Sequence, residues 1–293
     1  MVGLAHNIQL LTLNGGPSPP HKSKRRFQMR SILIALIAVA LVVGYMATPA
    51  VAHWVPADGC KMHFPQLPDS IGWDVNATWP VVLADDWQCS CTGPVEDIHF
   101  WGSWKGGIVG TITAFRISIH ANVPGPPSTP GSLLWEREIT TFVTTPPIDP
   151  PGKQGWYNPV SGTYITNDHD PYFQYNITNI PTPFEQHKGT IYWLNISAVV
   201  ADTVNTRWGW KSSKNHFMDD AVWSPNGLAP WTPMREPPAF TQTLDLAFVI
   251  TGPNTVCTPT LTQWGLIGLM LLFLAIATWV FFWRRKALRG KVA

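Results

Sequence analysis

The sequence predicts an all-β protein, in which a jelly-roll-like β-sandwich body lies between an N-terminal signal helix and one C-terminal transmembrane helix. Short central segments alternate apolar and polar residues with a period of two, which is typical of strands. Clusters of proline and glycine separate these segments. Two long apolar runs stand outside this region, each beside basic residues.

The central strands are predicted from alternation. It is clearest in Phe115–Ile119, Leu194–Val200 and Leu244–Ile250, where every second residue is apolar. Such a strand packs one face on a core and turns the other to water. Turn clusters such as Pro124–Pro127 divide many short strands, which favours a sandwich or jelly roll. We therefore predict a single extracytoplasmic domain over residues 53–252.

Charge is distributed unevenly along the chain. All 18 acidic residues lie between Asp58 and Asp245, with only ten of the 20 basic residues, so this span has a net charge of −8. The other ten basic residues flank it, five on each side. A nucleic-acid-binding domain needs a basic face on its folded part, so we expect no nucleic-acid partner. Basic residues next to apolar runs instead indicate a membrane as partner.

The first apolar run, residues 31–46, has the features of a secretory signal peptide. Arg25, Arg26 and Arg30 precede it, and small residues at Ala50 and Ala52 follow it as an A-x-A cleavage site. We predict a signal peptide over 29–52; the alternative is an uncleaved N-terminal anchor. Residues 1–28 are predicted to be a disordered extension, because Met29 would itself begin a complete signal peptide.

The second apolar run, residues 265–283, is predicted to be a transmembrane helix. It contains 19 residues without a charge, which is long enough to cross a bilayer. A buried core helix is the alternative, but it would show a polar face. Arg284, Arg285 and Lys286 follow at once, so the tail 284–293 should be cytoplasmic and the body outside.

A short motif precedes this helix, within a linker predicted over 253–264. Together with the helix and the basic end it resembles the IPTL-CTERM class of bacterial sorting signals. Thr258 and Gln263 stand where Ile or Val and Glu are usual. The resemblance implies an exosortase-like processing enzyme as partner, and a body delivered from the bacterial envelope to the cell surface or matrix. The motif residues are Pro259, Thr260, Leu261, Thr262, Gln263, Trp264 and Gly265.

The chain contains four cysteines, Cys60, Cys89, Cys91 and Cys257. Disulfides persist outside the cytoplasm, and four cysteines allow three pairings. Cys89 and Cys91 would point to the same face of a strand and rarely bridge each other. We expect Cys60 to pair with one of them and Cys257 with the other. A zinc site is the rival, but the C-x-C spacing is not the usual one.

The body also resembles a bacterial extracellular domain of unknown function. The resemblance covers about residues 63–250 and is carried by a series of motifs in order. It implies a secreted β-sandwich and brings no activity with it. The principal motifs are A-D-D-W at Ala84–Trp87, I-H-F-W-G-S-W at Ile98–Trp104, and G-W-K-S-S with D-D-A-V-W at Gly209–Ser213 and Asp219–Trp223.

Tryptophan and aspartate supply the candidate ligand sites. The body contains 13 of the 16 tryptophans, and aromatic rings either build cores or stack on ligands. Trp208, Trp210 and Trp223 are candidates for a carbohydrate platform, since Trp208 and Trp210 share one side of a strand. Calcium is a candidate cofactor because it prefers carboxylate oxygens, although turn and cap chemistry is the alternative role. The candidate metal ligands are Asp85, Asp86, Asp168, Asp170, Asp219 and Asp220.

Three functions follow, in order of preference. The first is an exported surface or matrix protein with a structural or interaction role and no catalytic activity. The second is a carbohydrate-binding module for a surface polysaccharide, with or without calcium. The third is a secreted glycosidase that uses two of the same aspartates, with His99, His120, His169 or His216 as partners. The enzyme is ranked last because the sequence contains no G-x-S-x-G, H-E-x-x-H or P-loop motif.

Overall fold

The computed structural model describes residues 53–252, together with Met270, Leu272 and Phe273. In this part of the chain no helix is long and apolar enough to cross a membrane. The predictions made for residues 1–52 and 253–293 therefore concern residues that are almost all outside the described part. They include the cleavage site at Ala50 and Ala52, the sorting motif, the transmembrane helix and the basic residues Arg284, Arg285 and Lys286.

The described chain is all-β, as the sequence predicts. It contains the short 3-10 helices η1 (Pro56–Asp58) and η2 (Lys105–Gly107). The strands, in chain order, are β1 Trp73–Asn76, β2 Val82–Gln88, β3 Gly93–Val95, β4 Asp97–Trp104, β5 Ile112–Val123, β6 Thr129–Ile139, β7 Val143–Thr144, β8 Gln154–Asn158, β9 Thr163–His169, β10 Phe173–Ile177, β11 Phe184–Gln186, β12 Ile191–Val200, β13 Trp208–Ser213, β14 Val222–Ser224, β15 Thr232–Pro233, β16 Asp245–Leu246 and β17 Phe248–Thr251.

Two sheets contain most of these strands. The nine-stranded sheet runs in the order β7, β10, β4, β13, β1, β8 and β9, with β16 beside β13 and β17 beside β4. The six-stranded sheet runs in the order β15, β14, β2, β12, β5 and β6, and β3 and β11 form a separate ribbon. Strands β1 and β8 pair in parallel. A jelly roll is wholly antiparallel, so the arrangement departs from that model while keeping the two layers of a sandwich.

The core lies between the sheets and is built by the predicted alternation. The apolar residues of β5 and β12 face inward, and Phe115 packs edge to face on Phe100 of β4, with ring centroids 4.9 Å apart. The predicted strand Leu244–Ile250 is divided into β16 and β17, and the amide of Ala247 between them donates a hydrogen bond to the Lys211 carbonyl. Aromatic residues bury large areas and dominate the packing.

The outer faces of the sheets are less exposed than simple alternation predicts. The N-terminal segment crosses the nine-stranded sheet, where Trp54 packs against Trp101 and its backbone is hydrogen-bonded to the side chains of Gln174 and Asn176. On the six-stranded sheet a small second cluster joins Ala84, Trp193, Val222 and Trp231. Polar residues on these faces are therefore buried by segments that the period of two does not reveal.

The disulfide prediction is wrong for Cys60. Cys60 and Cys89 are both free thiols, and their Sγ atoms lie 3.5 Å and 2.9 Å from the backbone carbonyls of Met62 and Cys91. Cys91 is disulfide-bonded, and Cys257 lies outside the described residues. Burial raises the pKa of both free thiols, which lowers their reactivity, since the thiolate is the nucleophile.

Candidate functional site

The predicted tryptophan platform is not on the surface. Trp208 and Trp210 do share one side of β13, but that side faces the core and both residues are 0% exposed. Trp208 packs on Phe115, and Trp210 donates a hydrogen bond from its indole to the Ala247 carbonyl. Trp223 is half-buried and packs against the same core. The proposed ligand role of Trp208 and Trp210 is therefore corrected: they are core residues.

Four of the predicted metal ligands come together around strand β2, three of them as buried carboxylates and Asp219 as a half-buried one. Asp85 accepts hydrogen bonds from the Leu246 amide at 2.6 Å and from the Gln66 side chain at 2.9 Å. Asp86 has two buried carboxylate oxygens without a hydrogen-bond partner. Asp219 accepts hydrogen bonds from the amide and hydroxyl of Ser128. Asp220 pairs with Arg235 at 2.7 Å.

Burial dominates the acidity of Asp85 and Asp86, and of Asp245 of β16, whose charge acts on both. Burial, reinforced by Asp245 and Asp219, raises the pKa of Asp86 to about 8. Burial, reinforced by Asp245 and Asp86, also raises the pKa of Asp85 well above its ordinary value. The pKa of Asp245 is raised by burial to about 6. A carboxyl group removed from water favours its neutral form, because ionisation loses its solvation.

The described residues contain no site for the predicted calcium ion. Asp168 accepts hydrogen bonds from the Gly106 amide and from His169, whereas Asp170 forms an exposed ion pair with Lys153. Between Trp54 and Gly252, no group of three or more His, Cys, Asp or Glu side chains is arranged to hold a metal ion. The aspartates of β2 are neutralised by burial, whereas calcium requires ionised or carbonyl oxygens.

A groove lies on the outer face of the six-stranded sheet. It has a volume of about 590 Å³ and crosses strands β5, β12 and β6, with the chain around Trp79 and Asn226–Leu228 as its walls. Its floor is formed by the polar residues that alternate with the core residues of β5 and β12. These floor residues are Arg116, Ser118, His120, Asn195 and Ser197.

Two polar atoms on the groove floor lack a partner in the protein. Asn195 is 2% exposed and Ser197 is 0% exposed. The Asn195 Oδ1 and Ser197 Oγ atoms form no hydrogen bond. A buried unpaired polar atom costs about 1–3 kcal/mol, so the polar face of β12 is retained here at a cost in stability.

The other side of the groove combines an aromatic ring with charged residues. The Arg116 guanidinium lies 4.1 Å from the centre of the Trp79 ring and pairs with Glu138 at 3.1 Å. Glu136 and Arg137 also line the groove, so its four charged residues are balanced. His120 is held by Ser118 and by the Gly131 carbonyl, each at 3.0 Å. The groove therefore offers hydrogen-bonding groups and an aromatic edge without an excess of either charge.

Sequence reasoning missed this groove, although its signal was present. The alternation that placed Phe115, Ile117 and Ile119 in the core also assigned Arg116 and Ser118 to the opposite face. The sequence does not reveal that β12 continues this polar face. In the register of β12 and β5, Asn195 pairs with Ser118, and Ser197 pairs with Arg116. A polar stripe across adjacent strands, rather than tryptophan spacing, was the useful indicator.

Comparison with known proteins gives one match. The family model for a domain of unknown function, DUF7901, matches residues 62–251. No curated protein matches the chain, and no solved structure matches it. The family model covers the whole sandwich from the segment before β1 to the end of β17, so the groove lies entirely within it.

Proposed function

Because this chain belongs to the DUF7901 family of domains of unknown function, we propose its function from its own groove: an exported, membrane-anchored surface protein whose β-sandwich body binds a neutral polysaccharide. The observation that carries the binding role is the polar floor of the groove, where Arg116 and Ser118 of β5 lie beside the Trp79 ring. A ligand that fits this floor supplies hydrogen-bonding groups in a row across neighbouring strands, as the hydroxyl groups of a sugar chain do.

The charges favour a neutral chain over an acidic one. The groove contains two basic and two acidic residues, Arg116, Arg137, Glu136 and Glu138. The body has a net charge of −8 between Asp58 and Asp245, and a field of that sign repels polyanions. Trp79 presents a half-buried ring at the groove wall, where a sugar ring and the Arg116 guanidinium would share its faces.

We expect a neutral polysaccharide to raise the thermal midpoint of the protein. A ligand that binds only the folded state adds about 2.7 kcal/mol at a concentration a hundredfold above its Kd. The measurement is thermal unfolding of the full chain in detergent with hydroxyethyl cellulose, xylan or dextran, and with alginate as an acidic comparison. The Ser118→Ala variant is expected to lose about tenfold in affinity, the equivalent of about 1.4 kcal/mol.

The same variant separates binding from folding. Alanine removes only the hydroxyl of the half-buried Ser118, which is bonded to the His120 side chain, so Ser118→Ala should fold with little loss of stability. Ser161→Ala makes the same chemical change in the exposed turn between β8 and β9 and should leave binding unchanged. If no neutral polysaccharide shifts the midpoint, or if Ser118→Ala binds as tightly as the wild type, the groove is not a glycan site.

The exported, anchored location is proposed from the two apolar runs and their basic flanks. The expected result is a body that protease digests on intact bacterial cells, while a tag after Ala293 stays protected until the membrane is opened. Removing residues 265–293 should release the body from the membrane fraction. A body protected in intact cells, or a truncated chain that stays with the membrane, would contradict this location.

A further inference from the structure

A second cluster of polar residues lies on the outer face of the nine-stranded sheet, away from the groove. Asp74 of β1 and Lys211 of β13 are direct partners in the antiparallel register, and both are 0% exposed. The Lys211 Nζ atom donates a hydrogen bond to Asp74 Oδ2 over 3.2 Å. His169 of β9 places Nε2 3.0 Å from the same oxygen and 2.6 Å from the Ser103 hydroxyl.

The surroundings of Asp74 and Lys211 favour a reaction between the two side chains over a simple ion pair. Asp74 Oδ1 is buried and forms no hydrogen bond, so the carboxylate is only half satisfied. Removing a lysine and an aspartate from water is costly for both ions, and such pairs contribute little net stability. A neutral amide at this position would remove both charges and expel a water molecule.

We propose that Lys211 and Asp74 form an isopeptide bond that covalently joins β13 to β1. A proton passes from the Lys211 ammonium to the Asp74 carboxylate, which leaves a neutral amine and a carboxylic acid. The Lys211 Nζ atom attacks Asp74 Cγ, and a new C–N bond forms. Oδ2 then leaves as water, taking its second hydrogen from the attacking nitrogen. One amide and one water are produced, and no oxidant or other reactant is required.

His169 is the group that moves the protons. Its Nε2 atom touches the leaving oxygen, and its Nδ1 atom is held by Asp168 Oδ2 at 3.0 Å. Asp168 is itself fixed by the Gly106 amide at 2.6 Å. This chain of contacts orients the imidazole so that one nitrogen faces the reacting atoms, as in other proton-transfer sites in which a carboxylate orients a histidine.

The protonation states of Lys211 and His169 suit these roles, and that of Asp74 requires them. Although burial favours its neutral form, Lys211 and His169 hold the pKa of Asp74 below its ordinary value, so its proton must be delivered by these neighbours during the reaction. Burial lowers the pKa of Lys211 despite the attraction of Asp74, which favours the neutral amine that attacks. Although burial favours neutral histidine, the hydrogen bonds that His169 donates to Asp74 and Asp168 raise the pKa of His169 and make it a proton donor. The Tyr172 ring, with its centre 5.9 Å from Lys211 Nζ, lies beside the site.

Mass spectrometry of the purified full chain tests the proposal directly. We expect proteolysis to yield one branched peptide that contains both Asp74 and Lys211, lighter than the sum of its two parts by one water molecule. The Lys211→Arg variant retains the positive charge but not the nucleophile, and its two peptides should separate with no loss of mass. Separate, unmodified Asp74 and Lys211 peptides from the wild type would overturn the proposal, whether or not the variant folds.

Two further variants sharpen the test. Lys153→Arg changes the exposed ion pair with Asp170 and should leave the branched peptide intact. His169→Gln keeps a polar side chain but cannot relay the protons, so freshly made protein should contain at least tenfold less of the branched peptide. A fully linked His169→Gln protein would overturn the role of His169. This proposal does not depend on the groove, so loss of glycan binding would leave it unaffected.

Discussion

Raising the pH from about 4 to about 8 is expected to lower the contribution of Asp86 to the free energy of unfolding by roughly 5 kcal/mol. Burial raises the pKa of Asp86 to about 8 in the folded protein, with Asp245 and Asp219 adding to the rise. Between the unfolded and folded pKa values the native state therefore binds the additional proton. The stabilising effect of this proton on the native state is complete at low pH. It is lost as the pH rises from the unfolded towards the folded pKa of Asp86.

The Asp86→Asn variant measures this contribution by itself. Asparagine has nearly the same size and cannot ionise, so the variant should be more stable than the wild type at pH 8 and the difference should shrink towards pH 4. The measurement is chemical denaturation across this pH range. Val222→Ala, in the small cluster beside Ala84, serves as a control that should lower stability by a similar amount at every pH. Parallel wild-type and Asp86→Asn curves would contradict the buried position of the carboxylate.

The sequence predicts the strands of this protein better than it predicts which face of each strand is covered. Alternation identifies two faces, because successive side chains point in opposite directions. For β5 the more apolar face is the core face, and the prediction holds. For β13 the side bearing Trp208 and Trp210 is also the core face, but the opposite side, with Lys211, is buried as well. Which segments cover that side depends on tertiary packing.

The glycines next to the tryptophans were a signal of this packing. A Cβ atom on Gly102 would lie 2.5 Å from the Trp208 ring, and one on Gly209 would lie 2.8 Å from the Trp156 ring. Glycine within a strand often marks close approach by another group. The W-G-S-W and W-G-W segments therefore indicate tightly packed indoles, rather than the exposed platform that tryptophan spacing first favoured.

The Asp74–Lys211 cluster and the groove show why the candidate sites could not be predicted from the sequence. Asp74, His169 and Lys211 are separated by 95 and 42 positions, and each is ordinary in its own segment. They meet only because β1 lies between β13 and β8, and β9 is next to β8. In the same way, Asn195 and Ser118 become neighbours only through the register of β12 and β5. Strand order and register are set by the whole core.

Replacing Trp208 with alanine is expected to lower the free energy of unfolding by about 3–5 kcal/mol. The indole is completely buried between the sheets and contacts Phe100, Phe115 and Tyr175, with ring centroids 5.2–6.0 Å apart. Its removal loses the transfer free energy of a large side chain and leaves a cavity. The Gly102 backbone cannot fill that cavity, because glycine has no side chain to contribute.

Denaturant unfolding of Trp208→Ala, with Trp231→Ala as a half-buried control, distinguishes a core role from a ligand role. The core position predicts a large fall in the unfolding midpoint for Trp208→Ala, a smaller one for Trp231→Ala, and unchanged glycan affinity for whatever folded Trp208→Ala protein remains. A surface platform predicts the reverse, with near-normal stability and lost binding. The groove lies on the outer face of the six-stranded sheet, whereas the core lies against its inner face. The unfolding midpoint and the glycan affinity of each variant therefore distinguish a core residue from a ligand-binding residue.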